Sequence, residues 1–131
     1  MSAVFVDTSA VLALLVGTDR VHADAVEAFT KLREREAELV TTSYVLVEAY
    51  ALIDRRLGRG ALTSFRESFA PLLRVIWVGA ALHDRGLDRL GNGPQGLSLV
   101  DAVSFEAIRE HRILEAFAFD RHFDQEGLGI Q

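Results

Sequence analysis

A junction near the start of the chain does most to limit what it can fold into. A short β-branched and aromatic run, Ala3-Val-Phe-Val6, is stopped by Asp7. After Thr8 and Ser9 a second apolar run extends from Ala10 to Val16. The first run reads as a buried strand. The second is rich in Ala and Leu and reads as a helix with Thr8 or Ser9 ahead of it. An acid at such a junction sits at the carboxyl end of a central strand, where open α/β sheets place their ligands.

Strand and helix signals then alternate. His22, Ala25, Val26, Phe29 and Leu32 recur at helical spacing, with Asp24, Glu27, Lys31 and Arg33 to Arg35 turned outward, which predicts an amphipathic helix over roughly 22–36. Leu39 to Thr42 is a strand candidate. Ser43 is a plausible N-cap for a helix from Tyr44 to Leu57, closed by Gly58. Leu62, Phe65 and Phe69 predict a further helix over roughly 60–70, ended by Pro71. Strands over Arg74 to Val78 and Ala116 to Phe119, and helices over Ala80 to Leu90 and from Ser98 to about His111, complete the pattern. Gly91 to Gly96 is the one strongly loop-like stretch. Strands alternating with helices predict a parallel sheet covered on both faces. Parallel strands joined by helices put their carboxyl ends on one edge, where Asp7 and Asp120 become neighbours.

With 131 residues, half of them hydrophobic, the chain has the size and composition of one globular domain spanning 1–131. It contains no cysteine, which excludes zinc–thiolate sites, disulfides and thiol catalysis. No apolar run approaches the ~18 residues of a membrane span, and Asp7 interrupts anything resembling a signal peptide. A soluble, cytoplasmic protein is the expectation. The net charge of −5 argues against a nonspecific nucleic-acid binder, unless several acids cluster around cations that reverse the local sign.

Four acids stand where apolar residues or turns are expected: Asp7, Glu48, Asp101 and Asp120. Each has a purely structural reading. Asp7 could cap the helix that follows, although Thr8 and Ser9 could do so equally well. Glu48 is the only charge in the ten residues from Tyr44 to Ile53, and it shares a helix face with Tyr44 and Leu52. A carboxylate there is costly unless paired or metal-bound, and Arg55 and Arg56 are too far along the helix to be its i+4 partner. Asp101 completes a capping box with Ser98, though a first-turn acid also points toward the sheet edge. Asp120 follows Ala-Phe-Ala-Phe and repeats the strand-then-acid pattern of Asp7, with a turn as its alternative role. Asp124, four residues on, fits a turn better. Together the four acids form a candidate site for divalent metal ions.

Other chemistries are poorly supported. No histidine pair has zinc-ligand spacing, and only His122, beside Asp120, lies near the candidate site. His22 and His83 read as helix-surface residues, and His111 as a helix-end cation. There is no G-x-S-x-G elbow. Gly91 to Gly96 matches neither a dinucleotide loop nor a Walker A loop. Ser9 occupies the position that an aspartate-based D-x-D phosphotransferase would need for its second acid.

The set Asp7-Thr-Ser-Ala10, Glu48 in an apolar helix, Ser98-Leu-Val-Asp-Ala102 and Phe119-Asp-Arg-His-Phe123 resembles the PIN domain. It is most similar to the VapC-type ribonuclease toxins of type II toxin–antitoxin pairs, over essentially the whole chain. The resemblance implies a three-layer α/β/α sandwich with a central parallel sheet. It assigns Asp7, Glu48, Asp101 and Asp120 to an acidic catalytic and metal-binding site, with Ser9 supporting the first Asp; Asp124 stands just past the final motif and is kept as an outer candidate. Carboxylate oxygens suit Mg²⁺, with Mn²⁺ as substitute. The resemblance further implies an RNA substrate cut to leave a 5′-phosphate, a homodimer and a small antitoxin partner. A non-catalytic module binding RNA or protein, and a metal-dependent DNA nuclease, are the competing readings.

Overall fold

A computed structural model of the chain describes residues 2–130; Met1 and Gln131, the ends of the predicted 1–131 domain, lie outside the described residues. Four strands, β1 (Ala3–Val6), β2 (Glu38–Thr42), β3 (Leu73–Ile76) and β4 (Glu115–Phe117), pair in parallel in the order β3-β2-β1-β4. The helices are α1 (Thr8–Leu15), α2 (His22–Glu34), α3 (Ser43–Leu57), α4 (Arg59–Ser64), α5 (Ala80–Gly91), α6 (Leu99–Glu110) and α7 (Arg121–Gln125). The strand order steps outward from β1 through β2 to β3, then returns to place β4 on the other side of β1. That reversal opens a crevice at the carboxyl ends of β1 and β4.

The alternation of side chains along each strand builds two cores. Val4 and Val6 of β1, Leu39 of β2, Leu73 of β3 and Phe117 of β4 pack on one face, against α1, α2, α3 and the segment around Phe65. Their sequence neighbours Phe5, Val40 and Ala116 face the other way, against Phe105 and Ile108 of α6 and Phe123 of α7. A smaller cluster, Leu82 with Val103 and Ala107, joins α5 to α6. This is the three-layer α/β/α arrangement, and it explains why β1 carries no polar residue before Asp7: Val4, Phe5 and Val6 are all 0% exposed. Burying such side chains contributes about 2 kcal/mol each, comparable with the backbone entropy of ordering a short strand. The strand is therefore held only when both helical layers are in place.

α5 and α6 approach closely because Gly86 has no side chain. A Cβ at that position would overlap Val103 Cγ2 and come within 3.3 Å of the Val103 backbone. The same helix pair is tied by an ion network. Glu106, buried on α6, accepts from Arg89 of α5 at 2.7 Å and from Arg109 at 2.7 Å. Burial opposes ionisation of Glu106, but the two arginines outweigh it and lower its pKa.

Several local expectations are corrected. Thr42, not Ser43, caps α3, its Oγ1 accepting from Val45 N at 3.2 Å. Ser43 Oγ instead accepts from Val78 N at 2.9 Å and so secures the exit of β3. The helix predicted over 60–70 is interrupted: α4 ends at Ser64, and a π-helical turn follows over Phe65–Phe69, with Ala70 N bonded to Phe65 O. The wider turn lets Phe65 and Phe69 stack at 5.4 Å while Tyr50 meets Phe65 and Phe29 meets Phe69. β3 stops at Ile76, leaving Trp77 77% exposed rather than inside a strand. Val26, placed on the buried stripe of α2, is 44% exposed. β4 ends at Phe117, so Asp120 lies three residues beyond the strand rather than directly after it. Among the described residues, no helix is long and apolar enough to cross a membrane.

Candidate metal centre

The crevice predicted by the strand order is where the acids meet. Asp7, Glu48, Asp101 and Asp120 line one cleft, together with Thr8, Ser9, Leu12, Leu52, Gly96 and Ser98. Each acid reaches it from a different element.

Asp7 leaves β1 directly, and its backbone N–H is bonded to Phe117 O of β4 at 3.0 Å. It caps α1, so the structural role weighed for it is real: Oδ2 accepts from Ser9 N at 3.1 Å and from Ser9 Oγ at 2.6 Å. Ser9 Oγ in turn accepts from Phe119 N at 2.9 Å, locking the exits of β1 and β4 together. Ser9 thus fixes one oxygen of Asp7. The other, Oδ1, is buried and has no hydrogen-bond partner, and the same holds for Thr8 Oγ1. A buried carboxylate oxygen left unpaired costs a full desolvation penalty, about 1–3 kcal/mol or more for a charged group, unless a proton or a cation occupies the space beside it.

Asp101 sits in the first turn of α6. Ser98 Oγ caps that helix by accepting from Asp101 N at 3.0 Å, as the capping-box spacing predicted. Its carboxylate is nonetheless turned to the cleft, so capping and site membership coexist. Asp120 caps α7, Oδ1 accepting from His122 N at 2.8 Å. Glu48 enters half-buried from α3 and has no hydrogen bond or ion pair to protein among the described residues. The arginines near its helix end are not its partners; Arg55 and Arg56 are exposed beyond it.

The crowding has electrostatic consequences. Burial raises the Asp7 pKa, with the charges of Glu48 and Asp120 adding to the rise and the two Ser9 hydrogen bonds opposing it. Asp101 is pushed up to about 7, first by burial and then by Asp7, Asp120 and Glu48, with the Ser98 backbone N–H pulling the other way. Without cations the cleft retains protons near neutrality. With oxygen donors converging and one of them orphaned, the residues fit a hard divalent cation.

The remaining sequence candidates separate. Asp124 is exposed on α7 and lines a different groove, with Asp24, Phe119 and Ile130; it is not among the residues lining the acidic cleft. His122, the one histidine the sequence placed near the site but did not assign to it, is 7% exposed, and one of its ring nitrogens lies within 4.8 Å of carboxylate oxygens of both Asp101 and Asp120. The signal for it was local: a histidine two residues beyond an acid at a strand exit. The loop over Gly91–Gly96 folds back so that Gly96, at φ +89°, lines the cleft beside Arg121 and His122.

A parallel α/β/α domain with carboxylates gathered at its strand-order reversal belongs to a class that comparison with known proteins makes specific. Residues 4–126 match the model of the PIN domain, and the chain belongs to the PIN-domain family. Within it, the chain is 32% identical over 126 residues to the 23S rRNA-specific endonuclease VapC20 of Mycobacterium tuberculosis, in strains CDC 1551 and H37Rv alike. The alignment covers 95% of this chain and 94% of the relative. The crystal structure of M. tuberculosis VapC20, described as a sarcin-ricin loop cleaving toxin, superposes with a TM-score of 0.80 at 31% identity, covering 96% of both chains.

Proposed function

We propose that this protein is a metal-dependent endoribonuclease, the toxin component of a toxin–antitoxin pair. The observation that carries the reading is the convergence of Asp7, Glu48, Asp101 and Asp120 on one cleft, with Asp7 Oδ1 buried and unpartnered. Full-length similarity to an endonuclease described as cleaving 23S rRNA supports the substrate class.

The chain's own residues hold the reacting groups in place. Ser9 fixes Asp7 through one oxygen and leaves the other free to ligate. Asp101 and Asp120 are held by the helices they cap or open. Glu48, without a protein partner, is free to ligate or to accept a proton from water. A divalent ion held by these carboxylates, Mg²⁺ or Mn²⁺, would supply positive charge for the phosphodiester and make water a better nucleophile. Water attacking phosphorus in line with the 3′ oxygen breaks the P–O3′ bond and gives a 5′-phosphate and a 3′-hydroxyl, one proton passing from the water to a cleft carboxylate and one reaching the departing 3′ oxygen. A single-stranded or looped RNA suits a shallow cleft at a sheet edge, because unstacked nucleotides can enter it. A cytoplasmic location, a homodimer and a small antitoxin that silences the cleft complete the proposal.

The test is incubation of the purified protein with an rRNA stem-loop fragment and with a DNA oligonucleotide of the same sequence, in Mg²⁺, Mn²⁺ or EDTA. Metal-dependent cutting of RNA alone is the expected result. Cutting of DNA alone would make the protein a DNA nuclease. Metal-independent RNA binding without cutting would make it a binding module.

A further inference from the structure

Of the four histidines in the chain, three lie away from the acids. His22 Nδ1 lies 2.8 Å from Ala13 O, His83 Nδ1 lies 2.5 Å from Tyr44 Oη, and His111 ends α6. His122 differs. It is 7% exposed, yet its ring has no protein hydrogen-bond partner among the described residues. The ring nitrogens are not among the fully buried unpartnered atoms, so an imidazole this enclosed beside two carboxylates has water or a cation as its remaining partner. Its backbone is anchored by Asp120 Oδ1, which accepts from His122 N at 2.8 Å, and its Nε2 lies beside Gly96, 3.9 Å from where a Cβ would stand. A nitrogen of the ring and one oxygen each of Asp101 and Asp120 lie within 4.8 Å of one another. Ligands at about 2.1 Å from an octahedral ion are roughly 3 Å apart when adjacent and roughly 4.2 Å when opposite. The three atoms therefore need only small rotamer adjustments to share one ion. His122 also lines the adjoining groove with Arg89, Leu97 and Phe105, an open side from which water could bond the ring nitrogen not used for ligation.

We propose that His122 is a metal ligand, forming with Asp101 and Asp120 a mixed nitrogen–oxygen site that selects Mn²⁺ over Mg²⁺. The inference rests on the reading of the acids as metal-binding and goes beyond it. An all-carboxylate site suits Mg²⁺ and Mn²⁺ alike, whereas an imidazole nitrogen favours the softer, more readily dehydrated transition-metal ion.

Pulsed electron paramagnetic resonance of Mn²⁺ bound to the full chain tests this without reference to activity. Modulation from a coordinated ¹⁴N is expected, changing to the ¹⁵N pattern when the protein is grown with ¹⁵N-histidine and vanishing in His122→Asn. By calorimetry, His122→Asn should weaken Mn²⁺ binding about tenfold or more while changing Mg²⁺ binding much less. The isotope exchange is made on the unaltered chain, so a folding defect in the variant does not compromise it. Mn²⁺ that binds, is weakened by Asp7→Asn, and shows no histidine nitrogen coupling would overturn the assignment of His122 while leaving the acidic site standing. Absence of Mn²⁺ binding at millimolar concentration would overturn both.

Discussion

Removing an acid from the centre of the site is predicted to make the metal-free protein more stable. Asp101 ionises in the unfolded chain with its ordinary pKa of 3.8 and in the fold at about 7, chiefly because it is buried among other carboxylates. Between those values the folded state holds a proton that the unfolded state has released, so stability falls as pH rises through the window and stays low above it. A difference of about three pH units at about 1.4 kcal/mol each gives ~4 kcal/mol. Water and salt entering the open cleft screen part of this, leaving about 2–3 kcal/mol. For a chain of this length 1 kcal/mol moves Tm by about 3–5 °C, so the variant should melt of the order of 10 °C above wild type at high pH, about half of that gap opening above pH 5.5. In Asp101→Asn the backbone N–H that Ser98 Oγ accepts from is untouched, so the helix cap survives. The assay is calorimetric melting of wild type and Asp101→Asn in EDTA at about pH 5.5 and about pH 8.5, above the range where Glu106 loses its charge. Wild type should lose stability at the higher pH and recover it with Mn²⁺. The variant should melt higher than wild type at the higher pH and respond little to metal. If the two proteins melt together at both pH values, the burial and crowding of Asp101 do not have the energetic weight given to them.

Other expectations follow from single contacts. Ser9→Ala removes the 2.6 Å bond to Asp7 and the acceptor for Phe119 N; it should cost about 1–3 kcal/mol in thermal stability and weaken metal binding measured by calorimetry. Gly86→Ala drives a methyl into Val103 and should destabilise by about 1–3 kcal/mol in urea unfolding, without changing the metal affinity of the folded protein. Glu106→Gln removes the charge that two arginines share; its lowered pKa means that the stability it contributes is present above the ordinary carboxylate range and lost as pH falls. The variant should therefore melt lower than wild type at neutral pH and converge with it in acid. Asp124→Asn, outside the acidic cleft, should leave metal binding unchanged within about twofold.

The sequence made parts of this legible for definite reasons. Ala3 to Val6 and Asp7 were readable because the run is wholly apolar, as suits a strand buried on both faces, so the first acid marks its exit. Glu48 stood out because nothing else charged lies near it on α3. Other features depend on partners distant in the chain. Whether Thr42 or Ser43 caps α3 is decided by Val78, which recruits Ser43 Oγ from across the sheet. The π-helical turn at Phe65–Phe69 serves rings on α2 and α3, and the same apolar spacing fits an unbroken α-helix. Asp120 and Asp124 look alike as post-strand acids, yet the single turn of α7 sends one to the cleft and the other to a separate groove. The sequence set His122 beside Asp120 but not beside Asp101, which joins them only when α6 docks on the sheet.

The central claim is that these acids form one cation site, and anomalous diffraction from crystals soaked in Mn²⁺ addresses it directly. The account predicts an anomalous peak in the cleft within ligation distance of Asp7, Asp101 and Asp120, lost in crystals of Asp7→Asn. A cleft that stays empty in Mn²⁺, or ions bound only at surface carboxylates elsewhere, would contradict it.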